Sequence, residues 1–138
     1  MAKIVVDTDV IIEYLRKNQN VAEFLINEIF IENIVITYIT YIELIKGATD
    51  KISLKTIEKI LADFPIIHHN KNSSAKSIEL IKTYHLSHGL KLADVNIAAL
   101  CIINKLPLLT LNTKDFRFIK ELELIKHNLK PKSNNFWE

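Results

Sequence analysis

The sequence predicts an α/β protein: a three-layer α/β/α arrangement around a central, mostly parallel sheet of four or five strands. Three observations carry this expectation. Short apolar, β-branched runs recur over 3–6, 34–37, 65–68 and 108–111. Their lack of polar alternation suits strands buried on both faces. Between them lie longer stretches with apolar residues at helical spacing, and strands alternating with helices imply a parallel sheet covered on both sides. Right-handed crossovers then gather the carboxyl ends of the strands at one edge.

Taken in order, residues 3–6 form the first strand. Val10, Ile11, Tyr14 and Leu15 mark a short helix ending near Asn18, and Val21, Phe24, Leu25, Ile29 and Phe30 mark a second. The run 34–37 is the second strand. It passes directly into a helix over 38–48, where Tyr38, Tyr41, Ile42 and Ile45 share a face. Ser53 reads as the N-cap of a helix carrying Ile57, Ile60, Leu61 and Phe64. Pro65 opens the third strand, where its missing N–H does least harm. Ser73 or Ser74 opens a helix that ends around Tyr84, followed by a turn over 85–91. Val95, Ala98, Ala99 and Ile102 form the apolar stripe of a helix over 92–105. Pro107 stops it, and 108–111 is the fourth strand. A short helical piece over 114–120 and a final strand over 122–125 complete the core.

With 138 residues, 49% of them hydrophobic, the chain is expected to be a single domain over 1–138, with a core of about 3–126 and a basic tail over 127–138. The one cysteine, Cys101, excludes an internal disulfide and a cysteine-rich zinc site. No signal segment precedes the first strand, and no apolar run approaches the ~18 residues of a membrane span; a cytoplasmic location follows as the default. The formal charge is only +2, but after Asn104 seven Lys or Arg face four acidic residues. That balance suits either a polyanion or a solvated surface.

The chemistry concentrates at the strand ends. Strand one ends in Asp7-Thr8-Asp9. Strand two ends at Thr37, and its following helix carries Thr40 and Glu43. Asp94 lies in the first turn of the helix over 92–105. Strand four ends in Thr110, with Asn112 and Asp115 just beyond. Each acid has a plain alternative as a helix cap, and Thr40-x-x-Glu43 matches a capping box. Together they place carboxylates from separate elements at one edge. Two carboxylates ~5 Å apart repel by roughly 3 kcal/mol at an effective dielectric of 20, so several must take up protons or hold a cation. No Lys or Arg lies in the Asp-Thr-Asp stretch. Hard oxygen donors suit Mg²⁺ or Mn²⁺, and such an ion supports in-line hydrolysis of a phosphodiester without a covalent enzyme intermediate.

The motifs 6–11 (Val-Asp-Thr-Asp-Val-Ile), Thr37-x-x-Thr40-x-x-Glu43-Leu44 with Gly47, 93–99 (Ala-Asp-Val-Asn-Ile-Ala-Ala) and 109–116 (Leu-Thr-Leu-Asn-Thr-Lys-Asp-Phe) resemble, in order, those of the PIN domain. More narrowly, the chain resembles VapC-type toxins of type II toxin–antitoxin systems, from about Ile4 to Ile125. The resemblance implies a Mg²⁺- or Mn²⁺-dependent endoribonuclease. It makes Asp7, Glu43, Asp94 and Asp115 the acidic quartet, with Asp7 and Asp94 as metal ligands and Glu43 and Asp115 binding directly or through water. Thr8, Thr110 and Asn112 would hold ligands, waters or a phosphate. It also implies a homodimer inhibited by a small cognate antitoxin. Asp9 stands where many relatives carry Ser or Asn and reads as a further metal ligand, an acid behind the ligands or only a helix cap. Asn96 stands where a small or apolar residue is common. The pair Phe136-Trp137 matches no motif.

Other residues read more plainly. His68 and His69 are adjacent, so in a strand they point to opposite faces and take structural or exposed roles. His85 and His88 lie in a loop before the Asp94 helix, where they either take ordinary loop roles or approach RNA. Cys101 is core, and Tyr38 and Tyr41 pack. Lys46, Lys91, Lys114 and Arg117 fall near the acidic edge, where they either contact RNA phosphates or face solvent. Two rival functions stay open. In a haloacid-dehalogenase-like phosphatase Asp7 would be the nucleophile and Asp9 the acid/base. The other rival is a non-catalytic RNA- or protein-binding module.

Overall fold

The computed structural model describes residues 2–132; Phe136-Trp137 lies outside them. Four strands, β1 (Ile4–Val6), β2 (Ile34–Thr37), β3 (Ile66–Ile67) and β4 (Leu108–Leu109), form a sheet in the order β3-β2-β1-β4. Every pairing is parallel. Leu124 adds one parallel bridge to Leu108, so the expected last strand is reduced to a single residue pair.

The apolar runs sort their side chains by alternation. Val5, Val35 and Leu108 point to one face and join Leu80, Val95, Ala98, Ala99 and Cys101. Those partners come from α5 (Lys71–His88) and α6 (Leu92–Asn104). Val6, Ile34, Ile36 and Leu109 point to the other face, against Val10, Ile11, Val21, Leu25, Leu44 and Leu61. These belong to α1 (Thr8–Leu15), α2 (Gln19–Phe24, continued by a π turn over Leu25–Ile29), α3 (Tyr38–Lys46) and α4 (Lys51–Leu61). Three layers result, with the sheet buried on both sides, as a run of Val and Ile without polar alternation demands.

Several helix starts differ from expectation, for one physical reason. Asp50 caps α4 and Asn70 caps α5, while Ser53 and Ser73 return a hydrogen bond from the third helical position. The reciprocal pair satisfies two orphan N–H groups, so the serines lie inside the helices rather than at their caps. Thr37, not Thr40, caps α3 through its hydroxyl. Helix α5 runs on to His88, so His85 and His88 lie in its last turn and not in a loop. Gly89 ends α5 at φ +64°, with open space where a Cβ would stand. Gly89→Ala is therefore expected to cost about 1 kcal/mol from left-handed backbone strain alone. A urea titration checks this, and an unchanged midpoint would contradict it.

The tail is tied down. His127 Nε2 lies 2.6 Å from the Thr110 carbonyl, and its Nδ1 accepts from Leu129 N at 3.0 Å. The second contact leaves Nδ1 unprotonated, so Nε2 is the donor. Asn18 Nδ2 then donates to Lys130 O, and Lys132 N donates to Glu13 Oε1 at 2.7 Å. Residues 127–132 thus strap the end of β4 to the far end of α1.

Candidate metal centre

The chain steps from β1 to β2 to β3 in one direction, and β4 lies on the other side of β1. The crevice above β1 and β4 is the point where the winding reverses, the usual ligand site of an open parallel sheet. Register sets what stands there. Val6 pairs with Leu109, and Asp7 N donates to Leu109 O at 2.9 Å. Asp7 and Thr110 are therefore neighbours at the carboxyl edge.

Asp7 leaves β1 with extended backbone and caps α1. It is 7% exposed. Its Oδ1 accepts from Thr8 N at 2.7 Å and its Oδ2 from Thr110 Oγ1 at 2.8 Å. Burial raises the Asp7 carboxyl to about 7, with the charges of Asp9 and Glu43 adding to the rise and the Thr110 and Thr8 hydrogen bonds opposing it. Capping and a functional role are thus compatible at one residue: each oxygen has an organising partner.

Asp9 faces β4. Its oxygens accept from Leu111 N at 3.2 and 3.3 Å, and Thr110 Oγ1 lies 3.4 Å from Oδ2. Burial raises it to about 6, against those same hydrogen bonds. Asp9 is an acid behind the crevice that ties α1 to the end of β4.

Thr8 Oγ1 donates to Glu43 Oε1 at 2.6 Å and lies 2.9 Å from Thr40 Oγ1. Thr40 is fully buried. A helix repeats every 3.6 residues, so Thr40 and Glu43 lie on one face of α3, and the threonine pair aims the more exposed Glu43 toward α1. Asp94 stands in the first turn of α6. Its carboxyl is raised to about 6, first by burial and then by the charges of Asp7 and Asp115, with Lys91 opposing. Asp115 ends a 3-10 turn (Thr113–Asp115) and lines one cleft with Asp94, Lys91 and Lys114.

The structure therefore gathers Asp7, Asp9, Glu43, Asp94 and Asp115 into one electrostatic group. Thr8, Thr40 and Thr110 hold it from within. Asn112 contributes through its backbone: its N–H reaches Thr110 Oγ1 at 3.1 Å, and its carbonyl accepts from Asp115 N at 3.0 Å. Lys91 and Lys114 stand at the cleft; Lys46, one turn beyond Glu43, and Arg117 are exposed and do not line it. Among the described residues no three His, Cys, Asp or Glu side chains form a closed ligand set. The donor set itself fits a hard divalent cation: all oxygen, strongly anionic, and opposed at Asp94 by Lys91. Cys101, fully buried, with its thiol pushed far up by burial, is core.

Three features escaped the sequence reading. His127 braces Thr110 from behind. His69 and Ser77 meet Asn96 Oδ1 at 2.8 and 2.9 Å, so Asn96 is a bracket between α5 and α6. His88 stacks on Phe118 beside Asp94 and Asp115. Only the polar residue at position 96, amid an apolar stripe, and His88, just ahead of the Asp94 helix, gave a signal.

Comparison with known proteins agrees with this fold. A PIN domain family model matches residues 4–122. A chain of a toxin–antitoxin complex from Klebsiella pneumoniae is 27% identical, with a TM-score of 0.74 over 87% of this chain and 95% of that one. FitAcB from Neisseria gonorrhoeae is 26% identical, with a TM-score of 0.71 over 89% and 96%. VapBC-1 from nontypeable Haemophilus influenzae, at 23% identity and a TM-score of 0.74 over 88% and 96%, shares the fold. No curated protein sequence matches the chain. The family whose model matches the chain is the PIN domain, not a haloacid dehalogenase. With the motifs, the sheet order and the matched span in agreement, the chain belongs to the PIN domain family.

Proposed function

We propose that this protein is a divalent-metal-dependent endoribonuclease and the toxin of a type II toxin–antitoxin pair. The observation that carries the reading is the group of carboxylates delivered by separate elements to the β1/β4 crevice, with Asp7 buried among like charges. A site that costs this much electrostatically is maintained for a cation. Asp7 and Asp94 would hold Mg²⁺ or Mn²⁺, and Glu43 and Asp115 would join directly or through water. The bound ion supplies Lewis acidity and a water of lowered pKa.

The chain's own residues do the rest. Thr110 and Thr8 N fix both oxygens of Asp7, so the carboxylate is preorganised. Thr8 fixes Glu43. Lys91 and Lys114 supply positive charge where a phosphodiester enters the cleft. Asp9 stays behind β4 and braces the end of the strand.

The toxin reading is supported by likeness to a chain of a toxin–antitoxin complex at 27% identity. It brings with it a small cognate antitoxin as inhibitor and a homodimeric assembly. No helix among the described residues is long and apolar enough to cross a membrane.

The purified protein is expected to cleave single-stranded RNA endonucleolytically with Mg²⁺ or Mn²⁺, and to lose that activity in EDTA. Cleavage that persists in EDTA, and equally after Asp94→Asn, would sink the reading. Tight RNA binding without cleavage under any divalent ion would favour the non-catalytic module.

A further inference from the structure

The cleft that Asp94 and Asp115 line at one end is a small recess of about 160 Å³ in all. His88, Gly89, Leu90, Lys91, Lys114 and Phe118 form its other walls. The acids account for one end, and the rest has a different chemistry. His88 and Phe118 are stacked with centroids 4.1 Å apart and planes 8° from parallel. Tyr84 meets the Phe118 ring edge-on at 5.3 Å and the His88 ring at 6.0 Å. Ser87 Oγ lies 2.7 Å from His88 Nδ1. The His88 ring is thus held in plane by three neighbours, while the residue itself stays exposed.

The backbone explains why it stands there. Helix α5 ends at His88, and Gly89 in the left-handed region turns the chain directly toward α6. Asp94 follows in the first turn of α6. The turn therefore fixes the distance between an aromatic platform and a site carboxylate.

We infer that this recess is a nucleobase subsite, in which a base next to the scissile phosphate stacks on the His88/Phe118 pair while Lys91 and Lys114 take flanking phosphates. The inference rests on the nuclease reading above and adds to it the place where sequence preference is set. A single-stranded RNA fits this chemistry because its bases are unpaired and offer a π-face to an aromatic shelf. The recess suits one base rather than a helix. The two lysines match a polyanion, and the acids at one end mark where the reacting phosphate lies. An acidic peptide would find the lysines but would meet Asp94 and Asp115 beside them.

Two measurements on the full chain test this separately from catalysis. In the first, a short RNA carrying 2-aminopurine is titrated in EDTA. Stacking should quench its fluorescence on wild-type protein, His88→Ala should lose the quench and weaken binding on the order of 10-fold, and His88→Phe should keep it. In the second, a random single-stranded RNA pool is cut with Mg²⁺ and the new ends are sequenced. Wild type should show a base preference beside the cut, and His88→Ala should flatten it, with the loss mainly in KM. Cleavage with an unchanged preference and an unchanged quench in His88→Ala would overturn the subsite. Quenching without any cleavage would leave the subsite standing and overturn the nuclease.

Discussion

Asp7→Asn is expected to abolish RNA cleavage and, at the same time, to stabilise the metal-free protein at pH 8. The two effects have one origin. Burial and neighbouring charges raise the Asp7 carboxyl from 3.8 to about 7. The native state then holds this proton more tightly than the unfolded chain does. Where the native state binds more protons, stability falls as pH rises. Asp7 is therefore harmless below about pH 4, becomes a growing cost up to about pH 7, and exerts its full cost above that. The shift corresponds to at most ~4 kcal/mol. Asn carries no charge at any pH but cannot accept on both sides, so one hydrogen bond worth ~1 kcal/mol is given back. A net gain of ~1–3 kcal/mol at pH 8 follows. Thermal unfolding in EDTA should show wild type losing stability from pH 5 to 8 and Asp7→Asn losing much less. Mg²⁺ should raise the wild-type midpoint by mass action and leave the variant nearly unmoved. Cleavage should drop by at least ~10²–10³-fold, the scale on which one electrostatic contributor acts in a dry site. A variant that is less stable than wild type at pH 8, or one that still cuts RNA, contradicts the account of Asp7.

The sequence reveals some parts of this molecule and hides others for physical reasons. A strand buried on both faces must be apolar at every position, so Ile4–Val6 and Ile34–Thr37 were readable directly. Carboxylates in unusual company stand out one by one, so the acidic residues were readable as candidates before any geometry was known. Helix starts were misread because Ser53 and Ser73 act from the third helical position. In the sequence a serine three residues after Asp50 or Asn70 looks no different from a cap. The end of α5 was misplaced because His85 and His88 are neutral toward helix formation, and Gly89, not they, stops the helix. Long-range polar ties were invisible. His127 and Thr110 lie 17 positions apart, Glu13 and Lys132 119. No local pattern encodes such pairs; only the sheet order brings them together.

The second large effect concerns one of those hidden ties. Glu13 is 3% exposed, in the last turn of α1. Its oxygens accept from Arg16 Nη1 at 2.9 Å, Asn18 Nδ2 at 2.9 Å and Lys132 N at 2.7 Å. Asn18 in turn caps α2 through Val21 N and holds Lys130 O. A single carboxylate thus closes the α1–α2 turn and anchors the strap over 127–132. Glu13→Ala would remove the acceptor of all three of these hydrogen bonds from a side chain that is almost fully buried. At ~1–1.5 kcal/mol for each of three largely buried hydrogen bonds, the loss comes to ~3–5 kcal/mol. For a chain of this length the midpoint of thermal unfolding should fall by roughly 10–15 °C. Limited trypsin digestion should cut after Lys126 faster in Glu13→Ala than in wild type, as the strap comes away from α1. RNA cleavage well below the midpoint should change far less than stability, because the residues of the crevice sit at the opposite end of α1, on Asp7, Thr8 and Asp9. A Glu13→Ala protein within ~1 kcal/mol of wild type would contradict this account of Glu13. Normal stability with lost cleavage would instead assign Glu13 to the site.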